Sequence, residues 1–277
     1  MTGPGPIALL GVPYDLASSY ARGPAEAPAK IREALACASS NTWSELGVDV
    51  DAVLGDAGDV AFATDADPRA AIEAAASALF VAGSRPLALG GDHSVSLPLV
   101  RAARRHHARL TIVHFDAHSD LYDEFEGDRY SHACPFARVM EEGLADRLVQ
   151  VGIRTATAHL REQSRRFGVE VIEMRHWRDL ADVAVEGPLY VSVDIDVLDP
   201  AFAPGISHPE PGGCTVRQLV DALHALDAPI AAADVVEYNP RFDVRGLTGM
   251  VAAKVVKELA ARMHLGPRSA SEPRSHP

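Results

Sequence analysis

The run Leu110-Thr111-Ile112-Val113-His114-Phe115 leads directly into Asp116-Ala117-His118-Ser119-Asp120. A short apolar, β-branched run of this kind reads as a buried strand. Carboxylates and imidazole gathered at its end read as a site. The arrangement recurs twice: Pro86–Leu89 precedes Gly90-Gly91-Asp92-His93-Ser94, and Leu189–Val193 precedes Asp194-Ile195-Asp196. If the three runs are parallel strands, their clusters share the carboxyl edge of one sheet, where open α/β sheets keep their ligand sites.

Outward from these runs, strand and helix alternate almost throughout. Ile7–Leu10 reads as a first strand, Ala25–Ala36 as a helix, Val48–Leu54 as a strand and Pro68–Ala82 as a helix with proline at its start. Val95–His106, Pro135–Glu142, Ala158–Phe167, Thr215–Leu226 and Leu247–Met263 have helical spacing. Arg147–Val151, Val169–Ile172 and Ile230–Val236 read as strands. Such alternation predicts a three-layer α/β/α fold around a mainly parallel central sheet. No linker composition and no internal repeat divides the chain, so residues 1–265 read as a single domain. The tail 266–277 is polar and non-periodic and is expected to be disordered.

The chain has 277 residues, 47% hydrophobic and 23% charged, which are ordinary globular values. Its net charge of −12 argues against a nucleic-acid partner or an anionic membrane surface. Cys37, Cys134 and Cys214 show no CxxC spacing, which argues against a disulfide framework or structural zinc and suits a reducing cytosol. Met1–Leu10 lacks the basic region of a signal peptide. No segment approaches the ~18 apolar residues of a membrane span. A soluble, cytoplasmic protein is expected.

His93, Asp116, His118, Asp120, Asp194 and Asp196 offer two imidazoles and four carboxylates. Alternate positions of Asp116-x-His118-x-Asp120 and Asp194-x-Asp196 lie on one side if the chain stays extended past its strand. Four close carboxylates repel, and two divalent cations cancel their charge. Oxygen and imidazole donors without thiolate suit manganese best, with zinc, nickel, cobalt or iron also possible. Two such ions ~3.5–4 Å apart activate water as a nucleophile at neutral pH. A DxD after a strand also occurs as a helix cap or a metal–phosphate site in transferases. Those enzymes call for a phosphate-cradling loop such as GxxxxGK[ST] or GxGxxG, and neither is present.

With GGDHS, DAHSD and SVDIDVLDP standing in this order, the chain resembles the ureohydrolases, the arginase/agmatinase family, over nearly its whole length. The resemblance implies an arginase-like fold and a binuclear manganese site. His93, Asp116, Asp120 and Asp194 would hold one ion, and His118, Asp116, Asp194 and Asp196 the other, with Asp116 and Asp194 bridging. It also implies a trimer or hexamer. Glu237, in Asp234-Val235-Val236-Glu237, matches the family's guanidinium-binding glutamate, whose carboxylate accepts two parallel N–H bonds. His132, in Ser131-His132-Ala133-Cys134, matches the loop histidine assigned to protonating the leaving amine.

The substrate is then a small guanidino compound. The amino-acid clamp of animal-type arginases has no counterpart in Leu121-Tyr122 or Gly152-Ile153-Arg154-Thr155-Ala156-Thr157. Asp120–Gly127 and Ser131–Met140 instead resemble agmatinases and plant-type arginases, and the acids Asp123, Glu124, Glu126 and Asp128 favour agmatine, with its second cation, over arginine. Guanidinobutyrate, guanidinopropionate and guanidine remain alternatives. So does a non-catalytic relative that keeps the fold for assembly or regulation, although all ligand positions are filled.

Overall fold

The computed structural model describes residues 6–177 and 183–267; most of the tail 266–277 lies outside these. Strands β1 (Ile7–Gly11), β2 (Leu54–Asp59), β3 (Arg85–Leu89), β4 (Thr111–Phe115), β5 (Arg147–Ile153), β6 (Glu170–Glu173), β7 (Leu189–Asp194) and β8 (Ile230–Val236) form one sheet. Their spatial order is β2-β1-β3-β8-β7-β4-β5-β6. Every neighbouring pair is parallel, so each connection must cross a face of the sheet. Helices make most of these crossings: α1 (Ala27–Leu35), α2 (Pro68–Val81), α3 (Ser96–His106), α4 (Pro135–Glu141), α5 (Ala158–Phe167) and α6 (Val216–Ala225). The long α7 (Leu247–Leu265) follows β8.

The period of two along each strand divides the core between two layers. Val113 and Phe115 pack with Ile31, Leu219 and Val255 on the face covered by α1, α6 and α7. Ile112 and Tyr190 pack with Ile72, Leu99 and Leu160 on the face covered by α2–α5. Both faces are thus apolar, as a parallel sheet requires, and the three-layer expectation holds. No helix among the described residues is long and apolar enough to cross a membrane.

Two local expectations are corrected. The strand read at Val48–Leu54 is instead a 3-10 turn at Val50–Ala52 followed by β2. That edge strand reads Leu-Gly-Asp-Ala-Gly-Asp, with no β-branched residue, so it takes its pairing from β1 and not from its own side chains. Arg32 of α1 pins it, its guanidinium lying 2.8 Å from Asp56 and 2.6 Å from Asp59. Asp194-Ile195-Asp196 does not stay extended either. Asp194 Oδ1 accepts the Asp196 N–H at 2.8 Å and caps a 3-10 turn over Ile195–Val197.

Candidate metal centre

The adjacent strands β3, β8, β7 and β4 occupy the middle of the sheet, and their carboxyl ends deliver every residue singled out above. After β3 the chain turns beneath the loop that leaves β1. A Cβ on Gly91 would lie 1.6 Å from the Tyr14 carbonyl oxygen, so only glycine fits. Asp92 then caps the turn His93–Val95, accepting the Ser94 N–H at 3.1 Å. Its second oxygen accepts the Ala17 N–H at 3.0 Å, which ties the β1 loop to the site.

His93 Nδ1 is buried and has no hydrogen-bond partner. It nevertheless stands 3.1 Å from Asp116 Oδ2, 3.1 Å from Asp120 Oδ2 and 3.1 Å from Asp194 Oδ2. Burial opposes charging of this imidazole, but the three carboxylates outweigh it and push its pKa well above the ordinary value. A proton on Nδ1 would still lack an acceptor in line with its N–H. One nitrogen equidistant from three oxygens is instead a coordination geometry. A cation with bonds of ~2.1 Å places its donor atoms about 3 Å apart, and the cradle fits it.

A second group lies beside the first. His118 Nδ1 is 2.9 Å from Asp196 Oδ2 and 3.5 Å from Asp116 Oδ1. Asp116 therefore turns one oxygen to each group. Asp194 presents only Oδ2 to the His93 side, its Oδ1 being held by the Asp196 N–H. Burial first, then Asp196 and Asp116, push Asp194 well above the carboxylate range. Burial and Asp116 push Asp196 up to about 6. Acids crowded this way in a buried site demand compensating positive charge.

Next to this cradle lie His132, Glu237 and His208. His132 Nδ1 is 3.1 Å from Glu237 Oε1, and its Nε2 is 2.8 Å from Ser19 Oγ. Burial works against protonation of His132, yet Glu237 raises its pKa to about 9. Glu237 Oε1 also accepts the His93 N–H at 2.9 Å, whereas Oε2 is buried without a donor. All eight expected site residues are thus brought to one edge. Burial pushes the Cys134 thiol up to about 12, which suits packing and not nucleophilic attack.

Three further residues serve the site without having been singled out. The His208 ring lies 4.7 Å from that of His132. His114, within β4, approaches Asp116 Oδ2 with Nε2 at 2.8 Å while Gln150 holds its Nδ1 at 3.1 Å. A histidine inside an apolar run carries no sequence mark separating it from core. Arg154 donates to the carbonyls of Asp196 at 2.6 Å and Glu210 at 2.6 Å, binding the DxD turn to the His208 loop.

Two acids of the acidic loop have partners within the chain. Asp123 pairs with Arg129 at 2.9 Å and Arg138 at 3.1 Å, and Asp128 accepts the Tyr130 N–H at 2.7 Å.

A buried imidazole–carboxylate cradle at the carboxyl edge of a parallel sheet, with an acid–base pair beside it, defines a metal-dependent hydrolase. Residues 5–261 match the arginase family. Arginase 1, mitochondrial, of Arabidopsis thaliana is 48% identical, over 92% of this chain and 80% of its own length. Guanidinopropionase of Pseudomonas aeruginosa is 40% identical, over 91% of this chain and 85% of its own. The solved arginase from Medicago truncatula superposes with a TM-score of 0.89 at 45% identity, over 94% of this chain and 88% of that one. The chain belongs to the arginase family and is a manganese-dependent ureohydrolase with that family's arginase-like α/β fold. The cytoplasmic expectation is corrected by the same relatives, because the arginases of Arabidopsis and Medicago are both named mitochondrial. Unpaired thiols suit any reducing compartment, so the cysteine argument could not separate them.

Proposed function

We propose that this chain is an arginase that hydrolyses L-arginine to L-ornithine and urea with two Mn2+ per chain. The observation that carries the reading is Glu237 Oε2, a buried acceptor without a donor, beside the cradle centred on His93. It suits a guanidinium, which donates from a planar fork. In this reading His93, Asp116, Asp120 and Asp194 hold one ion, and His118, Asp116, Asp194 and Asp196 hold the other. Bound there, the ions supply an activated water and stabilise negative charge.

The chain's own residues do the rest. Glu237 accepts guanidinium N–H groups and turns the central carbon toward the cradle. Water adds to that carbon, and its bond to the alkyl-bearing nitrogen breaks. His132, raised to about 9, is an imidazolium at neutral pH. It keeps Glu237 on Nδ1 and holds a proton on Nε2, against Ser19 Oγ, for the departing amine. His208 packs its ring against that of His132.

Arginine is favoured over agmatine for two reasons. The chain is most similar, among the relatives described, to arginases. Asp123, one of the loop acids that favoured an ammonium tail, is engaged by Arg129 and Arg138. A panel of arginine, agmatine, guanidinopropionate and guanidinobutyrate assayed for urea release tests this. Arginine should have the highest kcat/KM, and preference for any other guanidine overturns it.

A further inference from the structure

Beneath His93, on the side away from the cradle, lies a chain of buried polar groups that the proposed reaction does not use. His93 Nε2 is 3.0 Å from Ser192 Oγ, and Ser192 Oγ donates to Asp234 Oδ1 at 2.7 Å. The other oxygen of Asp234 accepts two hydroxyls, from Ser96 at 2.7 Å and from Tyr190 at 2.5 Å. Asp234, Ser192 and Ser96 are wholly inaccessible, and Tyr190 is nearly so. Ser192 opens the SVDIDVLDP stretch and Asp234 stands three residues before Glu237, but neither was among the expected ligands or catalytic residues.

The directions of these bonds follow from counting hydrogens. A carboxylate only accepts, so each of its three hydroxyl neighbours gives it a hydrogen. Ser192 has one hydrogen, and it points at Asp234. Towards His93 the Ser192 oxygen can then only accept, which requires a hydrogen on Nε2. The neutral ring carries its single hydrogen there, and Nδ1 keeps a free lone pair. That nitrogen is the one lying 3.1 Å from three carboxylate oxygens without a hydrogen-bond partner.

We propose that Asp234, acting through Ser192, is a positioning residue that fixes the tautomer and orientation of His93 and so sets the affinity of the ion His93 holds. The inference rests on the binuclear reading above and deepens it. Carboxylates that orient metal-bound histidines usually do so directly. Here a serine hydroxyl is interposed, with a tyrosine and a second serine holding the carboxylate still.

Asparagine at position 234 should invert the chain. Its single acceptor oxygen faces the pair of hydroxyls from Ser96 and Tyr190, which leaves its NH2 against Ser192. Ser192 then accepts from the amide and donates to His93 Nε2. The ring hydrogen moves to Nδ1, where it opposes metal. Tyr190→Phe removes a neighbouring hydrogen bond of similar burial but leaves the Ser192–Asp234 bond in place.

Calorimetric titration of the metal-free full-length chain with MnCl2 tests this without reference to activity. The unaltered chain should take up two ions. Asp234→Asn should weaken one of them by ~10–100-fold and leave the other within a few fold. Ser192→Ala should weaken the same ion, and serves alone if Asp234→Asn does not fold. Tyr190→Phe should lower the melting temperature while both affinities stay. A single ion in the unaltered chain would overturn the binuclear reading itself. Two ions there, with unchanged affinities in folded Asp234→Asn or Ser192→Ala, would overturn only this inference. Equal weakening in Tyr190→Phe would overturn it too, by assigning the effect to packing.

Discussion

Glu237 and Asp120 hold φ of 63° and 50°, where a residue with a side chain is disfavoured. Such strain costs on the order of 1–3 kcal/mol and persists where the surroundings over-determine it. Here it aims Glu237 Oε1 at the His93 N–H and His132, and leaves Oε2 for a ligand. Glu237→Gln keeps the shape but loses the charge-assisted bond, worth ~1.5–3 kcal/mol, so kcat/KM should fall at least about tenfold for every guanidine; unchanged kinetics would remove Glu237 from the site. His132→Ala should lower turnover by ~10²–10⁴-fold, with manganese content by atomic emission unchanged. An imidazole raised to about 9 keeps its proton through neutral pH. The alkaline limb of kcat is therefore expected near pH 9, and a limb near 6.5 would exclude His132 as the acid.

Elements place these residues more finely than their own propensities do. The Gly90-Gly91 turn, with Gly91 against the Tyr14 carbonyl, and the cap by Asp92 bring His93 into the cradle. Gly91→Ala forces apart two backbones already in contact. Overpacking of that kind costs ~1–3 kcal/mol or more, so both the melting temperature and manganese binding should drop. A variant with native melting temperature and metal content would show that the loop gives way freely. The DxD turn depends likewise on Arg154, whose carbonyl clamp joins β5 to the loop bearing His208. His208 stood in the sequence without context because its neighbours His132 and Glu237 come from distant segments. The strand read at Val48–Leu54 failed for a related reason. An edge strand of glycine and aspartate has no pattern of its own, and only pairing with β1 defines it.

At the scale of the whole molecule, charge couples the centre to stability. Asp196 is raised to about 6 from an unfolded value of 3.8. A buried acid raised in this way favours folding when protonated. That contribution is complete below 3.8 and is lost as pH rises through about 6. Bound cations reverse the balance by stabilising the anion, so stabilisation by Mn2+ should grow across this window. Melting temperatures measured with MnCl2 and with chelator should diverge as pH rises from 4 to 7; a constant difference would show that Asp196 does not titrate with metal. At a concentration 100 times its Kd, each ion contributes ~2.7 kcal/mol. The proposed trimer or hexamer should appear in sedimentation velocity, and a stable monomer would contradict it.

The alternation of apolar runs with helical spacing was sufficient to predict a parallel three-layer sheet, because burying both faces of a sheet demands that pattern. The candidate metal-ligating cluster was equally legible, since oxygen and imidazole donors at strand ends cluster in sequence. What the sequence could not carry was direction. Which nitrogen of His93 faces the cradle depends on Ser192 and Asp234, residues that read as ordinary members of two strands. Whether the loop acids meet solvent, substrate or arginine depends on Arg129 and Arg138 folding back on Asp123. Patterns of burial are local along a strand and survive in the sequence. Hydrogen-bond direction and charge pairing join residues distant in the chain, and only the tertiary structure decides them.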